Sequence, residues 1–421
     1  MTRKLRVRYS LLAPGVALAA AVAIGCGGDP TQEAAGAPSR QAMPMGRADE
    51  GRITTIDHLV PHISTVHANF GQHVELFVRE KVRLDGDESA ADGDGKRVVL
   101  MITGATTPAL AVFDVPFENY SWMTYLAEAR FDVFAMDLTG YGSSPRPQMD
   151  EPCNLSKAQQ NLLIPGRLTA TCEPTYAFKM DMRSEWEEID TVVDYLRDLR
   201  GVERVSLVGW SRAGPRIGGY AARHPDKVEK LVLYSPAAYD RNRPPPPTLR
   251  PELREPPEKG VFMQLGTIEG SVSTWDGQVG CANQFTPAIR QAIRSSILAS
   301  DPLSLTWRRD KETPHVWRAP APNTIWGWNA TDASQIVAPT LIIRGALDTQ
   351  APEPLQRDLF VDLAAKKKVF VRVACAGHQL LFENQHMVLL EASEEWLRHG
   401  SFAGHHQGTF FVDPSGGIDV Q

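Results

Sequence analysis

One serine in this sequence stands between small residues at the point where a strand-like run gives way to a helix-like pattern. In the stretch LVGWSRAGPRIGGYAARHP, Gly209 and Ala213 lie two places before and two places after Ser211. Small residues at these places let a strand and a helix cross closely while the serine takes a strained backbone conformation. Its hydroxyl then projects beyond the sheet edge, beside helix N–H groups that favour negative charge. This pattern predicts a nucleophile.

A nucleophilic serine needs a general base, and the base needs an acid to orient it. Asp348 follows the strand-like run TLIIRG, and His378 follows the run KVFVRV. The carboxyl ends of parallel strands are where ligands bind in open α/β sheets. Taken singly, Asp348 also suits a helix cap and His378 a surface loop, but their order and context favour a catalytic set. Asp240, just past the preceding strand, is the alternative acid.

The segments that must position these residues alternate between short apolar runs and helical patterns. Apolar runs without polar alternation are typical of strands covered on both faces. The predicted strands of this kind are 97–103, 131–137, 204–210, 230–235, 340–345 and 368–373. Helical patterns lie between them, which predicts an α/β fold with a mostly parallel, doubly wound sheet. The alternating segment HVELFVREKVRL ends at Leu84, and we expect it to form a hairpin with the strand at 97–103.

Two long stretches interrupt this alternation. Residues 145–182 form one excursion, and residues 236–335 lie between two predicted strands, which is too long for a simple loop. We interpret 236–335 as a mainly helical cap over the end of the sheet. Its tryptophans are Trp307, Trp317, Trp326 and Trp328. They either pack inside the cap or line an apolar substrate pocket, for which Trp326 and Trp328 are the candidates.

From about residue 70 to residue 400 the chain resembles the α/β-hydrolase fold family. The motifs that carry the resemblance are, in order, TGAT, DLTGYGSSPRP, GWSRAG, RHPDKVEKLVLYSP, PTLIIRGALD and AGHQLLFE. The resemblance implies that Ser211 is the nucleophile, Asp348 the acid and His378 the base. It also implies an oxyanion hole formed by the backbone N–H groups of Ala105 and Arg212.

Two positions depart from the pattern of the family. Thr103 and Gly104 stand where His-Gly is common, which changes the hydrogen bonds behind the oxyanion hole but keeps the backbone donor of Ala105. Arg212 is unusual beside the nucleophile. Its side chain either meets an acidic substrate or forms a salt bridge inside the fold.

The implied chemistry is acyl transfer to water, which needs no cofactor. We expect a carboxylic ester hydrolase acting on small molecules, with thioesters, lactones, amides and peptides as alternative substrates. A non-catalytic surface binding protein on the same fold is the alternative from another class. Cofactor-free haloperoxidases and hydroxynitrile lyases also keep similar triads. The sequence does not fix the oligomeric state.

Composition narrows the range of partners. The formal net charge is −6 and Lys and Arg are scattered, so nucleic acid is not an expected partner. We divide the chain into a signal peptide (1–25), a flexible tether (26–50), the first part of the core (51–235), the cap (236–335), the second part of the core (336–400) and a C-terminal tail (401–421).

The N-terminus carries export signals. MTRKLRVRYS is cationic, and the apolar run after it is shorter than a membrane span of about 20 residues, which favours a secretory signal. The run ends VAIGC, which resembles the lipobox of bacterial lipoproteins and makes Cys26 the predicted lipidated first residue. A membrane-anchored lipoprotein is therefore expected, with cleavage of an ordinary signal nearby as the alternative and a secreted or periplasmic protein as its product.

The remaining cysteines are Cys153, Cys172, Cys281 and Cys375. An even number favours disulfides in an exported protein, whereas free buried thiols are the alternative if the chain is not exported. We expect Cys153 to pair with Cys172, because both lie in the excursion 145–182 and closing such a loop contributes roughly 3 kcal/mol. No metal site is predicted, since Cys-x-x-Cys spacing is missing and the acidic loop DGDESAADGDGK lacks the residues of a calcium loop.

The N-terminal signals predict that the mature protein begins at Cys26 and carries lipid there. The cationic start, the apolar run and the small residue Gly25 all lead to that cysteine. The intact mass of the exported protein measures this directly. A mature form without acyl mass, or one that starts elsewhere, would exclude the lipid anchor.

Overall fold

The computed structural model describes residues 51–84, 97–245, 258–307 and 316–421. The predicted signal peptide, Cys26 and the tether lie outside the described residues, and so does the acidic loop at 85–96. Within the described ranges no helix is both long and apolar enough to cross a membrane. The same ranges contain no cluster of three or more His, Cys, Asp or Glu side chains suited to a metal ion.

In the described residues, ten strands form one sheet. The strands of the chain are β1 (Arg52–Ile63), β2 (His73–Leu84), β3 (Val98–Ile102), β4 (Asp132–Met136), β5 (Val205–Trp210), β6 (Val228–Tyr234), β7 (Met263–Thr267), β8 (Val316–Pro320), β9 (Thr340–Gly345), β10 (Lys368–Val373), β11 (Gln407–Val412) and β12 (Ile418–Val420). The sheet has the order β1-β2-β4-β3-β5-β6-β9-β10-β11-β12, and β7 pairs only with β8. The run from β4 to β11 is parallel, which confirms the predicted fold class.

Helices cover both faces of this sheet. The α-helices of the described residues, including those of the excursion and the cap, are α1 (Ala109–Phe113), α2 (Trp122–Glu128), α3 (Lys157–Gln160), α4 (Met182–Arg200), α5 (Gly219–Arg223), α6 (Ile268–Asp276), α7 (Pro287–Ala299), α8 (Ala330–Ala333), α9 (Glu353–Asp362) and α10 (His386–His399). On one face, α2 and α10 pack around Met101 of β3. On the other, α4 and α5 pack around its neighbour Leu100. Because neighbouring strand residues point to opposite faces, an apolar run such as β3 is buried on both sides.

Two expectations about the sheet need correction. The segment 73–84 forms no hairpin with β3, because β2 pairs with β1 and β4, and β4 lies between β2 and β3. Alternation of polar and apolar residues reports a half-exposed strand but not its neighbour. Residues 401–421 are more than a tail, since β11 pairs in parallel with β10 and β12 pairs with β11.

The cap contains both helices and strands. Its described residues, 258–307 and 316–335, include the antiparallel pair of β7 and β8 and the helices α6 and α7. Excursion and cap share one small hydrophobic core, in which Met149 and Leu163 pack with Phe262 and Trp307. The excursion contains the predicted disulfide between Cys153 and Cys172.

Helix α4 turns two acidic residues toward the protein interior. Glu185 pairs with the buried Arg216 at 2.7 Å. A carboxylate oxygen of Glu188 accepts a hydrogen bond from the Thr139 amide at 2.9 Å. Burial raises the pKa of Glu188 from 4.5 to about 7, and the negative charge of Glu185 adds to the effect, although the Thr139 hydrogen bonds and Arg216 oppose it. Between pH 4.5 and about pH 7 the folded protein therefore keeps a proton on Glu188 that the unfolded chain has lost.

We predict that Glu188→Gln removes a pH dependence of stability. Below about pH 4.5 the carboxyl is protonated in both states, and between 4.5 and about 7 only the folded state keeps the proton. The free energy of unfolding therefore falls as the pH rises through this window, by on the order of 3 kcal/mol. Denaturant unfolding at about pH 5 and about pH 8 measures the difference.

Glu187→Gln is the matched control, because Glu187 lies exposed on the same helix. It should leave the pH dependence of the wild-type protein in place. Equal slopes for the wild-type protein and Glu188→Gln would show that Glu188 is ionised in the folded state.

Candidate active site

Ser211 directly follows β5 and has a left-handed backbone conformation, with φ of 59°. Its N–H donates to the Tyr234 carbonyl at 2.9 Å, and its carbonyl accepts from the amides of Gly214 at 3.0 Å and Ala237 at 2.9 Å. A serine with positive φ is strained unless its surroundings hold it. These three bonds fix the serine between the end of β6 and the helical turn that follows it.

Two glycines make room for this turn. A Cβ atom on Gly209 would lie 2.8 Å from the Ala213 Cβ. A Cβ on Gly104 would lie 2.9 Å from the Trp210 carbonyl oxygen and 3.2 Å from the Arg212 nitrogen. The separations of 2.8 and 2.9 Å are shorter than contacts of a Cβ atom allow. The loop after β3 therefore approaches the nucleophile backbone as closely as only glycine permits.

The predicted acid and base are paired. His378 Nδ1 lies 3.0 Å from Asp348 Oδ2, and both side chains are buried. The other carboxylate oxygen of Asp348 accepts from the amides of Gln350 at 2.9 Å and Ala351 at 3.0 Å. Burial would raise the pKa of Asp348, but the hydrogen bond and charge of His378 and the Ala351 amide outweigh it, so this pKa lies below its ordinary value. The acid stays ionised and holds the imidazole.

The alternative acid is placed elsewhere. Asp240 is exposed, and its carboxylate accepts the amide of Asn242 at 3.0 Å. It caps its own turn and does not contact His378.

The backbone of His378 is fixed from both sides. Its carbonyl accepts hydrogen bonds from the Tyr234 hydroxyl at 2.6 Å and from Trp210 Nε1 at 3.0 Å. Its amide donates to Gln278 Oε1 at 2.8 Å, and the amide of Thr349 donates to the same oxygen at 3.3 Å. Gln278 belongs to the cap, so a cap side chain joins the loop of the acid to the loop of the base.

The cap segment around Gln278 is also bonded to the chain before and after His378. The disulfide Cys281–Cys375 links it to the residue three places before His378. Glu383 accepts from the Gly377 amide at 2.7 Å and from Trp275 Nε1 of the cap at 2.9 Å. The cap and the base loop therefore form one bonded unit.

The predicted oxyanion donors stand side by side. Gly104 and Arg212 are in close contact, as the Cβ geometry shows, and Ala105 follows Gly104. Among the described residues neither the Ala105 amide nor the Arg212 amide donates to a protein acceptor. Two unpaired backbone donors beside a serine are the arrangement that binds a developing oxyanion.

Within the part of the chain that the structure describes, the side chain of Arg212 forms no salt bridge. Its guanidinium donates to the carbonyl and the side-chain oxygen of Asn323. Burial is the largest influence and, with the nearby Arg216, lowers the pKa of Arg212. The Arg212 side chain is not among the groups that line the cleft described next.

Ser211 and His378 line a common cleft of about 1000 Å³, together with Gly104 and Ala105. Cap residues form the opposite wall: Leu265, Gly266, Thr267, Gly270, Ser271, Thr274 and Trp317. Trp317 Nε1 also donates to the Thr106 carbonyl at 2.7 Å, which ties the cap to the loop after β3.

The tryptophans proposed for the pocket lie elsewhere. Trp328 is fully buried and packs against Gly214 and Gly218, where its ring fills the space that a side chain would need. Trp326 stacks with Arg183, whose guanidinium carbon is 4.6 Å from the ring centre. Neither lines the cleft, whereas Trp210 and Trp317 do.

An apolar cavity adjoins the cleft. The two share the lining residues Thr107, Trp210, Ser271 and Gln379. Apolar side chains make up most of the rest of its wall: Val112, Ile268, Val272, Trp275, Ile293, Ile297 and Phe382. Most of them come from α6 and α7 of the cap, and Arg290 and Arg294 complete the wall.

The sequence model of the alpha/beta hydrolase fold matches residues 97–385, which is more than half of the chain. The chain belongs to the α/β-hydrolase fold family. Ser211, Asp348 and His378 all lie inside the matched region.

Several solved structures of the family are similar to the chain. The serine hydrolase CCSP0084 of Cycloclasticus zankles is 13% identical over 82% of this chain and 98% of that one, with a TM-score of 0.46. The 2-hydroxy-6-oxo-6-phenylhexa-2,4-dienoate hydrolase of Rhodococcus sp. strain RHA1 is 15% identical over 82% and 99%, with a TM-score of 0.45. A thermophilic esterase of Thermogutta terrifontis is 16% identical over 81% and 98%, with a TM-score of 0.44.

One curated protein matches a short stretch. The poly(3-hydroxyalkanoate) polymerase subunit PhaC of Allochromatium vinosum is 50% identical over 44 residues. The match spans 10% of this chain and 12% of the length of that protein.

Sequence reasoning missed several residues that support this α/β-hydrolase site. Gln278 is a glutamine in a polar cap segment, and only the fold brings it to His378. The sequence leaves the pairing of Cys281 and Cys375 open, and their spacing gives no reason to expect a disulfide beside His378. Trp210 directly precedes the nucleophile, and an aromatic residue at that position was the available signal.

Proposed function

We propose that this chain is a serine hydrolase that cleaves carboxylic esters through an acyl-enzyme on Ser211. The observation that carries the proposal is the pairing of Asp348 with His378, whose side chain lines one cleft with a serine in a left-handed turn. Such a serine is held with its hydroxyl beyond the sheet edge, where a general base can reach it.

The geometry supports a complete sequence of steps. Asp348 occupies Nδ1 of His378, so Nε2 is the nitrogen that remains to accept the Ser211 proton. The serine oxygen attacks the ester carbonyl, and the amides of Ala105 and Arg212 receive the oxyanion. His378 then returns the proton to the leaving alcohol, and an acyl-enzyme remains. Water, deprotonated by His378, attacks this ester, and His378 returns the proton to the Ser211 oxygen as the acid is released.

The apolar cavity supports an ester with a hydrocarbon part. It opens beside Ser211 through the shared residues Trp210 and Thr107, so one part of a bound ester can enter it while the carbonyl stays at the serine. Burying each methylene group in such a wall contributes about 0.8 kcal/mol. We assign this cavity to the acyl chain of the substrate.

An enzyme is favoured over a binding protein on the same fold. A surface binding site has no need of a buried carboxylate that is kept ionised by a histidine in the cleft wall. We also propose that the protein is exported and anchored through lipid on Cys26, because the N-terminal sequence carries those signals.

Ser211→Ala should abolish ester turnover and labelling by a fluorophosphonate probe. We expect kcat to fall about 10⁶-fold for Ser211→Ala or His378→Ala and about 10⁴-fold for Asp348→Asn, because the acid only orients and stabilises the base. The double variants should lose little more than the single ones, since the three residues act as a unit. Initial rates on p-nitrophenyl esters measure these effects.

Ser271→Ala is the matched control, because Ser271 lines the same cleft without an Asp–His pair. It should keep labelling and turnover. Wild-type protein that takes up no probe, or Ser211→Ala with full activity, would contradict the proposed function.

Filling the apolar cavity should change the preference for acyl chain length. Ile293 faces the cavity from α7 and is buried. In the wild-type protein we expect kcat/KM to rise about fourfold for each methylene that the cavity accepts. Ile293→Trp should remove this rise and leave the acetyl ester almost unaffected. The measurement is kcat/KM across p-nitrophenyl esters of increasing length.

The control is Gln291→Trp on the exposed side of α7. If Ile293→Trp slows acetyl and longer esters equally, the acyl chain binds elsewhere.

A further inference from the structure

Arg216 is a buried arginine whose five N–H groups are all used. Nε and Nη2 donate to the two carboxylate oxygens of Glu185 at 3.1 and 2.7 Å, and Nη2 also lies 3.2 Å from the Tyr141 hydroxyl. The remaining nitrogen, Nη1, donates to two backbone carbonyls, those of Thr103 and Gly104, at 2.7 Å each. A planar guanidinium held by a carboxylate has its other donors aimed in a fixed direction.

The two carbonyls belong to the loop that supplies the first oxyanion donor. The Gly104 carbonyl and the Ala105 N–H are parts of one peptide group. In a trans peptide these two groups point in opposite directions. A donor that holds the carbonyl from inside the protein therefore turns the N–H away from the interior, and Ala105 lies in the wall of the cleft that contains Ser211.

Among the described residues, no side chain of the loop after β3 itself holds these two carbonyl groups. Thr103 stands where the family commonly has histidine, and its hydroxyl is buried without a hydrogen-bond partner in the described residues. Arg216 reaches the loop from the π-helical turn Gly214–Gly218, five residues after the nucleophile. The turn that holds Ser211 thus also carries the group that contacts the opposite wall of the oxyanion hole.

The charge of Arg216 is maintained inside the protein. Burial alone would lower the pKa of its guanidinium, but the carboxylate of Glu185 and the Tyr141 side chain raise it above the ordinary value. Arg216 is 2% exposed and Glu185 is 3% exposed. Removing one partner of such a pair leaves an uncompensated buried charge, which usually destabilises a protein strongly.

We infer that Arg216 is the positioning residue of the oxyanion hole: it holds the Gly104–Ala105 peptide so that the Ala105 N–H points at the developing oxyanion. The inference rests on the proposed function, because it assumes acyl transfer at Ser211. Arg216 does not touch the substrate. It acts on the reaction only through the orientation of one backbone donor.

The test compares Arg216→Lys with the double variant Arg216→Met/Glu185→Gln. The double variant removes the buried ion pair without leaving an unpaired charge, and the lysine variant keeps the positive charge but has no planar fork to hold both carbonyls. In both variants we expect kcat on a p-nitrophenyl ester to fall about 100-fold, the effect of losing one oxyanion donor. KM should change much less, because the donor acts mainly in the transition state.

A second measurement separates positioning from a general loss of structure. A trifluoromethyl ketone forms a tetrahedral adduct with the serine, and its oxyanion occupies the hole. Its inhibition constant should rise in parallel with the loss of kcat/KM, whereas binding of a competing alcohol, which places no oxyanion there, should stay unchanged. A merely structural role for Arg216 would weaken both inhibitors.

Arg200→Met/Glu80→Gln is the matched control. It removes another ion pair with a buried glutamate, and neither residue lines the cleft. This control should keep wild-type kcat even if it lowers stability. If Arg216→Met/Glu185→Gln does not fold, the kcat and the inhibition constants of Arg216→Lys decide the test alone.

The inference is overturned if either folded Arg216 variant keeps the kcat of the control, or loses kcat while its affinity for the trifluoromethyl ketone stays intact. Failure of the proposed function looks different. In that case wild-type protein takes up no fluorophosphonate and Ser211→Ala has no effect on turnover.

Discussion

Three backbone segments meet at Ser211, and the site depends on how closely they approach. The chain turns at the serine directly after β5, and the loop after β3 contacts this turn at Gly104. On the other side, the end of β6 accepts a hydrogen bond from the serine amide, and the residues after β6 donate one to the serine carbonyl. A single added Cβ at Gly104 would collide with the Trp210 carbonyl. The same closeness brings the amides of Ala105 and Arg212 next to the nucleophile. The same close approach of backbone segments therefore positions both the proposed nucleophile and the proposed oxyanion donors, and side chains stabilise that approach.

The base comes from a different part of the fold and depends on the cap. The loop with His378 follows β10, and its amide is bound by Gln278, while the Cys281–Cys375 disulfide joins the same two segments. The inserted segment that covers the cleft is thus also a support for the base. Since Gln278 accepts the amide of Thr349 as well, the acid loop is held by the same side chain. This part of the cap cannot move away without breaking its bonds to the loop of His378.

Most of the features that could be predicted depend on residues that are close together in the sequence. The parallel strands follow from apolar runs, the proposed nucleophile from small residues at fixed offsets, and the proposed acid and base from their places after predicted strands. The position of β2 depended on pairing with β1 and β4, and the strands at 407–420 depended on an exposed edge of the sheet, so alternation and composition could not place them. The cap tryptophans show the same limit. Trp328 fills space created by Gly214 and Gly218, and that contact exists only after the chain has folded.

Asp137, Glu188, Glu383 and Asp348 are buried carboxyl groups whose surroundings shift their pKa values in different directions. Burial raises the pKa of Asp137, Glu188 and Glu383, because backbone and side-chain donors compensate the lost water only in part. Asp348 is buried too, yet its pKa is lowered, since it faces the imidazole of His378. Ionisation within this group is therefore most favoured in the carboxyl that can stabilise an imidazolium.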